Sequence, residues 1–263
     1  ARPHPGRLRV LAARQHARLA ERVRPGLTRG DTASAAGSTS TVQHRPQEEE
    51  MFTLPPITLP GIDDYAAAHS APDPDALRVV PENDLGMGHL ISGQLVGGLL
   101  RMLIHTIRPR LVLDIGTFTG YSALSMAVAL PEGARVISCE VDPERAEVAR
   151  KHIAEAGFSD VISVRVGSAL DTVAGIDEPL DLVFIDADKP NYHNYYAATL
   201  PKLSPRGLMV CDNTLWRGEI IDAGSTDPDV RALRAFNDAV AADPRCESVM
   251  LTVRDGVTLI RRV

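Results

Sequence analysis

The stretch LDLVFIDADKPNY, residues 180–192, ends an apolar run in charge: Leu182, Val183, Phe184 and Ile185 lead to Asp186, Asp188 and Lys189. A second run, GLMVCDN at 207–213, ends in Asp212 and Asn213. If both runs are strands and lie side by side, about 4.8 Å apart, Asp186, Asp212 and Asn213 can converge. Two carboxylates and an amide carbonyl are hard oxygen donors. Completed by water or substrate oxygens they suit octahedral Mg²⁺ or Mn²⁺, and no Cys or His beside them argues for zinc. Acids gathered without a cation are costly. Lys189 follows closely on Asp186. An unperturbed lysine, with a pKa of about 10.4, is a poor base at neutral pH, but a nearby dication favours the neutral amine and acidifies a bound hydroxyl. Lysine and metal together can thus deprotonate a substrate hydroxyl. A plainer reading stays open: Asp212 and Asn213 cap the next turn, and Asp186 pairs with Lys189 in a surface salt bridge.

A second chemistry is suggested by DIGTFTGYS, residues 114–122. Gly116 and Gly120 permit a tight turn and close approach of backbone to ligand. Glu140 closes the following apolar segment, where a carboxylate can accept both hydroxyls of a ribose. The loop is not G-x-G-x-x-G, because Phe118 takes the middle glycine position. It fits a nucleoside without phosphates better than a pyrophosphate. The competing reading is a purely structural turn after a strand.

These residues need a frame. Apolar segments at 111–116, 134–140, 161–167, 180–186 and 207–213 alternate with helical patterns at 121–130, 143–157, 169–174, 192–200 and 228–242. Five β–α units with near-continuous apolar strands predict a doubly wound α/β fold, its parallel sheet covered on both faces. Segments 248–253 and 256–262 close the chain as a hairpin around Asp255 and Gly256. Helices are expected near 63–69 and 74–80, and over 91–107 with Ser92 as its cap. In such sheets ligands bind beyond the carboxyl ends of the strands. Asp114, Glu140, Asp186, Asp212 and Asn213 all fall at those ends.

The 263 residues are 44% hydrophobic and 24% charged, enough for one large α/β domain. Residues 1–50 carry nine Arg and five acids, a net of +4, which leaves 19 bases against 29 acids from 51 onward. That acidic body argues against nucleic acid as a partner. No apolar run reaches about 18 residues, so no membrane span is expected. Three scattered cysteines, Cys139, Cys211 and Cys246, suggest a reducing, cytoplasmic setting. Residues 1–50, Arg/Ala-rich and then low-complexity, are expected to be a disordered tail or translated sequence upstream of a start at Met51. A basic amphipathic targeting segment is the alternative. Residues 51–263 form the expected catalytic domain.

The segments DIGTFTGYSALSMA, CEVDPERAEVARKHI, DLVFIDADKPNYHNYY and GLMVCDNTLWRG, in that order, resemble the cation-dependent O-methyltransferases, among them catechol and caffeoyl-CoA O-methyltransferases and bacterial relatives. The resemblance spans about 75–263. It implies a mostly parallel, seven-stranded Rossmann-like sheet with a C-terminal antiparallel hairpin. It implies S-adenosylmethionine in the glycine loop, with Glu140 on its ribose. Asp114, Gly116, Tyr121 and Ser122 are then expected at the methionine half, with Phe118 part of the family's GxxxGYS form. Ser168 and Ala169 match the adenine-side turn, and Met87 is expected to line the methyl-donor pocket. The family's metal ligands carry over to Asp186, Asp212 and Asn213, for Mg²⁺, Mn²⁺ or Ca²⁺, and its general base to Lys189. Asp186 thereby counts with the catalytic and cofactor-contacting residues too. Trp216 is expected to stack on the acceptor ring, and Asn237 matches a family position near substrate. The implied reaction is methyl transfer to one hydroxyl of a small aromatic diol, in a homodimer. Three rivals stay open: an NAD(P)-dependent oxidoreductase, a metal-dependent hydrolase and a non-catalytic nucleoside-binding protein.

Overall fold

Leu111, Leu113 and Ile115 alternate with Val112 and Asp114, and all five are buried, so this strand must be covered on both sides. The computed structural model describes residues 57–81 and 84–263; the expectation for residues 1–50 lies outside them. The strands are β1 (Leu111–Ile115), β2 (Arg135–Glu140), β3 (Ile162–Val166), β4 (Leu180–Ile185), β5 (Leu203–Cys211), β6 (Cys246–Leu251) and β7 (Val257–Arg262). The α-helices are α1 (Ile62–Ala68), α2 (Gly93–Ile107), α3 (Tyr121–Ala127), α4 (Pro143–Glu155), α5 (Ala169–Ala174), α6 (Tyr192–Thr199) and α7 (Pro228–Ala242). The sheet runs β3-β2-β1-β4-β5-β7-β6. Neighbours from β3 to β5 are parallel, and β7 runs antiparallel to both β5 and β6. The expected doubly wound sheet with a closing antiparallel hairpin is therefore the observed one.

The two faces hold separate cores. Leu113, Ile115, Val183 and Ile185 face Val173 of α5, Tyr192 of α6 and Phe236 of α7. Val112, Phe184 and Val210 face Leu100 of α2, Leu124 of α3 and Ile153 of α4. Each fully buried aliphatic side chain stabilises by about 1.5–3 kcal/mol, so the sheet centre is the rigid part of the molecule. Helix starts are capped locally: Asp142 accepts the Glu144 and Arg145 N–H groups at α4, and Asp227 does the same for Asp229 and Val230 at α7. Proline at the first turn of each adds a preset φ.

Some boundaries depart from expectation. Strand β5 begins at Leu203 rather than near 207, because Pro205 and Gly207 read as a turn but lie in a bulge. Opposite it the register passes from Leu180↔Leu203 to Leu182↔Leu208, and a Cβ on Gly207 would meet the Leu180 carbonyl oxygen at 2.7 Å. Residues 75–79 form a 3₁₀ turn rather than an α-helix. Among the described residues no helix is long and apolar enough to cross a membrane.

Strand β1 lies between β2 and β4, so successive connections leave it in opposite directions and open a crevice at the carboxyl ends. Gly116 stands at that opening with φ +102°, and a Cβ there would collide with the Asp186 carbonyl oxygen. Gly116→Ala should therefore cost roughly 2–4 kcal/mol, from the left-handed backbone and the clash together. Urea denaturation checks this; a stability equal to wild type would show that the β1 and β4 tips are looser than described.

Candidate active site

The register between β4 and β5 pairs Ile185 with Cys211, which brings the next residues, Asp186 and Asp212, to neighbouring strand tips. Backbone hydrogen bonds hold both there: the Asp186 N–H donates to the Ile115 carbonyl and the Asp212 N–H to the Ile185 carbonyl, each at 2.9 Å. Lys189, only 7% exposed, points its Nζ into the same corner. It donates to Asn213 Oδ1 at 2.7 Å, to the Tyr192 hydroxyl at 2.8 Å and to Asp186 Oδ1 at 3.2 Å. The Tyr192 hydroxyl donates in turn to the Asp212 carbonyl oxygen at 2.9 Å. Burial, and then the Asp186 charge, holds that phenol well above the ordinary tyrosine value, so it stays protonated.

Asp212 is 2% exposed and accepts the Asn213 N–H on Oδ1 at 2.8 Å. Burial, with the Asp186 charge next, raises its carboxyl from 3.8 to about 7. Asn213 reaches Lys189 from a left-handed backbone, φ 56°. The plainer sequence reading is thus partly met: Asp186 does pair with Lys189, but within a buried corner and not at the surface. Among the described residues no three His, Cys, Asp or Glu side chains form a metal cluster. A cation held here would rest on two carboxylates and one amide, and would need water or substrate oxygens to complete its shell.

The glycine loop stands on the other side of β1. Gly116 and Thr117 both donate their N–H groups to the Cys139 carbonyl at 3.1 Å, tying the loop to β2. Glu140, at the tip of β2, accepts the Phe118 N–H at 2.8 Å and the Asp142 N–H at 3.0 Å. Each of its oxygens is fixed by one backbone donor and keeps a second acceptor site. Phe118 has φ 48°, and Arg145 lies over its ring with Cζ 5.5 Å from the centroid. Tyr121 and Ser122 start α3; the Tyr121 hydroxyl donates to Asp73 Oδ2 at 2.6 Å, and the Ser122 hydroxyl to Asp114 Oδ1 at 3.1 Å.

A cavity of about 820 Å³ joins the two regions. Its wall includes Gly116, Phe118, Tyr121, Ser122, Glu140, Ser168 and Ala169 on one side, and Asp186, Lys189, Asp212, Asn213 and Trp216 on the other. Three expected site residues are not in the wall. Asp114 is wholly buried behind it, where Ser122 and Ser138 donate to its carboxylate. Met87 instead has Arg145 Nη2 at 3.9 Å from its Sδ. Asn237 donates from Nδ2 to the Thr214 carbonyl at 2.9 Å, one layer behind the Asp212 corner.

Other residues join the site without a sequence signal. Ser92 occupies the cap position of α2, yet makes no side-chain cap bond; its hydroxyl donates to Asp186 Oδ2 at 3.1 Å. Nothing local tells a helix cap from a donor to a distant acid. Arg254, in the β6–β7 turn, donates from Nη1 to the Ser92 carbonyl at 3.0 Å. Asp188 turns away from the corner and accepts the Tyr195 hydroxyl at 2.6 Å.

A family model described as O-methyltransferase matches residues 80–263. A catechol O-methyltransferase of Niastella koreensis is 34% identical over 196 residues, covering 72% of this chain and 89% of its own. Caffeoyl-CoA O-methyltransferase 1 of Eucalyptus globulus is 38% identical over 182 residues, covering 64% and 72%. Among solved structures, the O-methyltransferase TomG of Streptomyces achromogenes, involved in tomaymycin synthesis and in complex with SAM, matches with a TM-score of 0.69 at 30% identity, over 77% of this chain and 96% of that one. An O-methyltransferase of Bacillus cereus in complex with SAH matches with a TM-score of 0.68 at 31% identity, over 77% and 97%.

Asp114 offers a test of the buried polar layer. Burial raises its carboxyl to about 7, against the lowering effect of the Ser138 and Ser122 hydrogen bonds. An unfolded aspartate titrates near 3.9, so between about pH 4 and about pH 7 the folded chain keeps a proton that the unfolded chain releases. The group's contribution to stability therefore falls as pH rises through that window. Asp114→Asn removes the titration. Its stability relative to wild type should climb by on the order of 2–4 kcal/mol from about pH 4 to about pH 7 and then level off. Urea titrations across that range measure it; a relative stability of the variant that stays flat or falls as pH rises would overturn the assignment.

Proposed function

The chain belongs to the O-methyltransferase family and uses S-adenosylmethionine, and from that premise we propose that it is metal-dependent and methylates one hydroxyl of an aromatic vicinal diol of catechol or caffeoyl type. The carrying observation is the gathering of Asp186 and Asn213 oxygens on the Lys189 ammonium, with Asp212 buried beside them. That ammonium serves as a stand-in for a cation. Two acids share the corner with the Lys189 ammonium, Arg254 also acts on Asp212, and burial still pushes Asp212 towards protonation. A dication would balance both carboxylates, and an all-oxygen donor set suits Mg²⁺, Mn²⁺ or Ca²⁺. When bound, such a cation acidifies nearby hydroxyls and stabilises negative charge on oxygen.

The chain's own residues divide the remaining work. Glu140, fixed by two backbone N–H groups, is oriented to accept ribose hydroxyls. Gly116 lets a ligand approach the β1 tip, where any side chain would collide with Asp186 backbone. Ser92 steadies the second oxygen of Asp186. As the neutral amine that a bound dication would favour, Lys189 is placed to accept the proton of one acceptor hydroxyl, and Tyr192 holds its Nζ in position. Trp216, with Lys189 Nζ 5.6 Å from its ring centroid, offers a stacking surface for the acceptor ring. The cavity volume of about 820 Å³ falls within the range of small-molecule sites. Positioning of oxygen and methyl can contribute roughly 7–11 kcal/mol, so geometry rather than covalent chemistry is expected to dominate. Residues 51–263 as the catalytic domain, and a homodimer resolvable by sedimentation, complete the reading.

Methyl transfer from labelled S-adenosylmethionine to catechol tests it. EDTA should abolish transfer and added Mg²⁺ restore it; undiminished rates in EDTA would remove the metal. Lys189→Ala should lower kcat by about 10²–10⁴-fold with little change in S-adenosylmethionine affinity. Normal turnover in that variant would remove the base.

A further inference from the structure

The cavity wall carries two guanidinium groups, those of Arg217 and Arg254, that the reaction itself does not use. Arg217 follows Trp216 in the loop Trp216–Ile221, and Arg254 sits in the β6–β7 turn; both line the cavity. Trp216 and Arg217 hold left-handed backbones in succession, φ 40° and 57°, a costly pair for residues with side chains. The loop is held in that shape. Arg234 of α7 donates from Nε to the Ile220 carbonyl at 2.8 Å, and Asp255 accepts the Arg217 N–H. The strain aims the Arg217 side chain across the indole, with Cζ 5.1 Å from the ring centroid. Its Nε is buried and has no hydrogen-bond partner.

A buried, unpartnered guanidinium donor calls for an acceptor. Among the described residues no carboxylate forms an ion pair with Arg217 or Arg254. Among the acids of the wall, Asp63 accepts from Thr58, Asp188 from Tyr195 and Asp255 from the Arg217 backbone. Arg254 spends Nη1 on the Ser92 carbonyl and keeps its other donors. The indole of Trp216 thus has the Lys189 amine 5.6 Å from its centroid and the Arg217 guanidinium 5.1 Å from it. A ring lying on Trp216 with its diol at Lys189 stands beside the Arg217 guanidinium, 5.1 Å from the same indole centroid.

Resting on the acceptor reading above, we propose that the acceptor is an aromatic diol bearing a carboxylate, which Arg217 binds at the end of the ring away from the diol, with Arg254 adding positive charge. A planar carboxylate matches the guanidinium fork and can take Nε and an Nη together. Arg217 and Arg254 are specificity residues here: they hold the acceptor and touch none of the reacting atoms.

Trp216 is the only tryptophan in the chain, so its fluorescence reports binding at this wall without any turnover. The probes are 3,4-dihydroxybenzoate and its near-isosteric amide, 3,4-dihydroxybenzamide, titrated into wild type, Arg217→Gln, Arg217→Lys and Arg254→Gln. Wild type should bind the acid about tenfold more tightly than the amide. The ratio should fall to about one in Arg217→Gln, and fall partway in Arg254→Gln and in Arg217→Lys, whose ammonium keeps the charge but not the planar fork. A wild-type ratio of one or below overturns the proposal, as does an Arg217→Gln variant that keeps the wild-type ratio. Methylation of the two probes is scored separately. If the charge preference holds but neither is methylated, the diol reading fails and the anion site stands. If both are methylated without preference, the anion site alone fails.

Discussion

Two carboxylates on neighbouring strand tips can share a buried crevice only if positive charge stands with them. That constraint organises the molecule. Parallel pairing of β4 and β5 sets Asp186 beside Asp212, and the hydrophobic layers behind them leave Asp212 buried and Asp186 largely so. Lys189 supplies one charge, anchored by the Tyr192 hydroxyl and the Asn213 carbonyl. Burial first, and the neighbouring Asp186 charge next, raise the Asp212 carboxyl. A corner with unspent negative charge beside a buried amine is suited to take a dication and to handle a proton from an oxygen acid.

The rest of the crevice follows from topology. Reversal of strand order at β1 puts the glycine loop and Glu140 on one side and the acidic corner on the other, with Gly116 at the junction. Its lack of a side chain joins the two halves, because a Cβ would run into the Asp186 carbonyl. Asp114 lies behind that junction and draws Ser122 of α3 and Ser138 of β2 onto one buried carboxyl. The glycine loop, the start of α3 and the β2 tip are thereby tied to the sheet centre.

Much of this was legible in the residues. Apolar strands buried on both faces produce unbroken runs, so the order of β–α units and the polar residues closing each strand could be read directly. Helix starts were also legible where the capping chemistry is local, as at α4 and α7, which Asp142 and Asp227 cap. What escaped reading is non-local. Ser92 has the form of a helix cap, yet its hydroxyl goes to Asp186, and Arg254 reaches the same region from the final hairpin. Asp114, Met87 and Asn237 stand at plausible sequence positions, but only the packing shows that they lie outside the cavity wall. The early start of β5 was hidden because Pro205 and Gly207 signal a turn whether they end a strand or bulge within one.

Calorimetric titration of Mn²⁺ into the ligand-free protein probes the acidic corner without relying on turnover, donor or acceptor. One saturable site per chain is expected, with affinity lost or weakened by at least about 100-fold in Asp212→Ala. Absence of a saturable site in the wild type, or undiminished binding by Asp212→Ala, would mean that the two strand tips do not hold a shared cation.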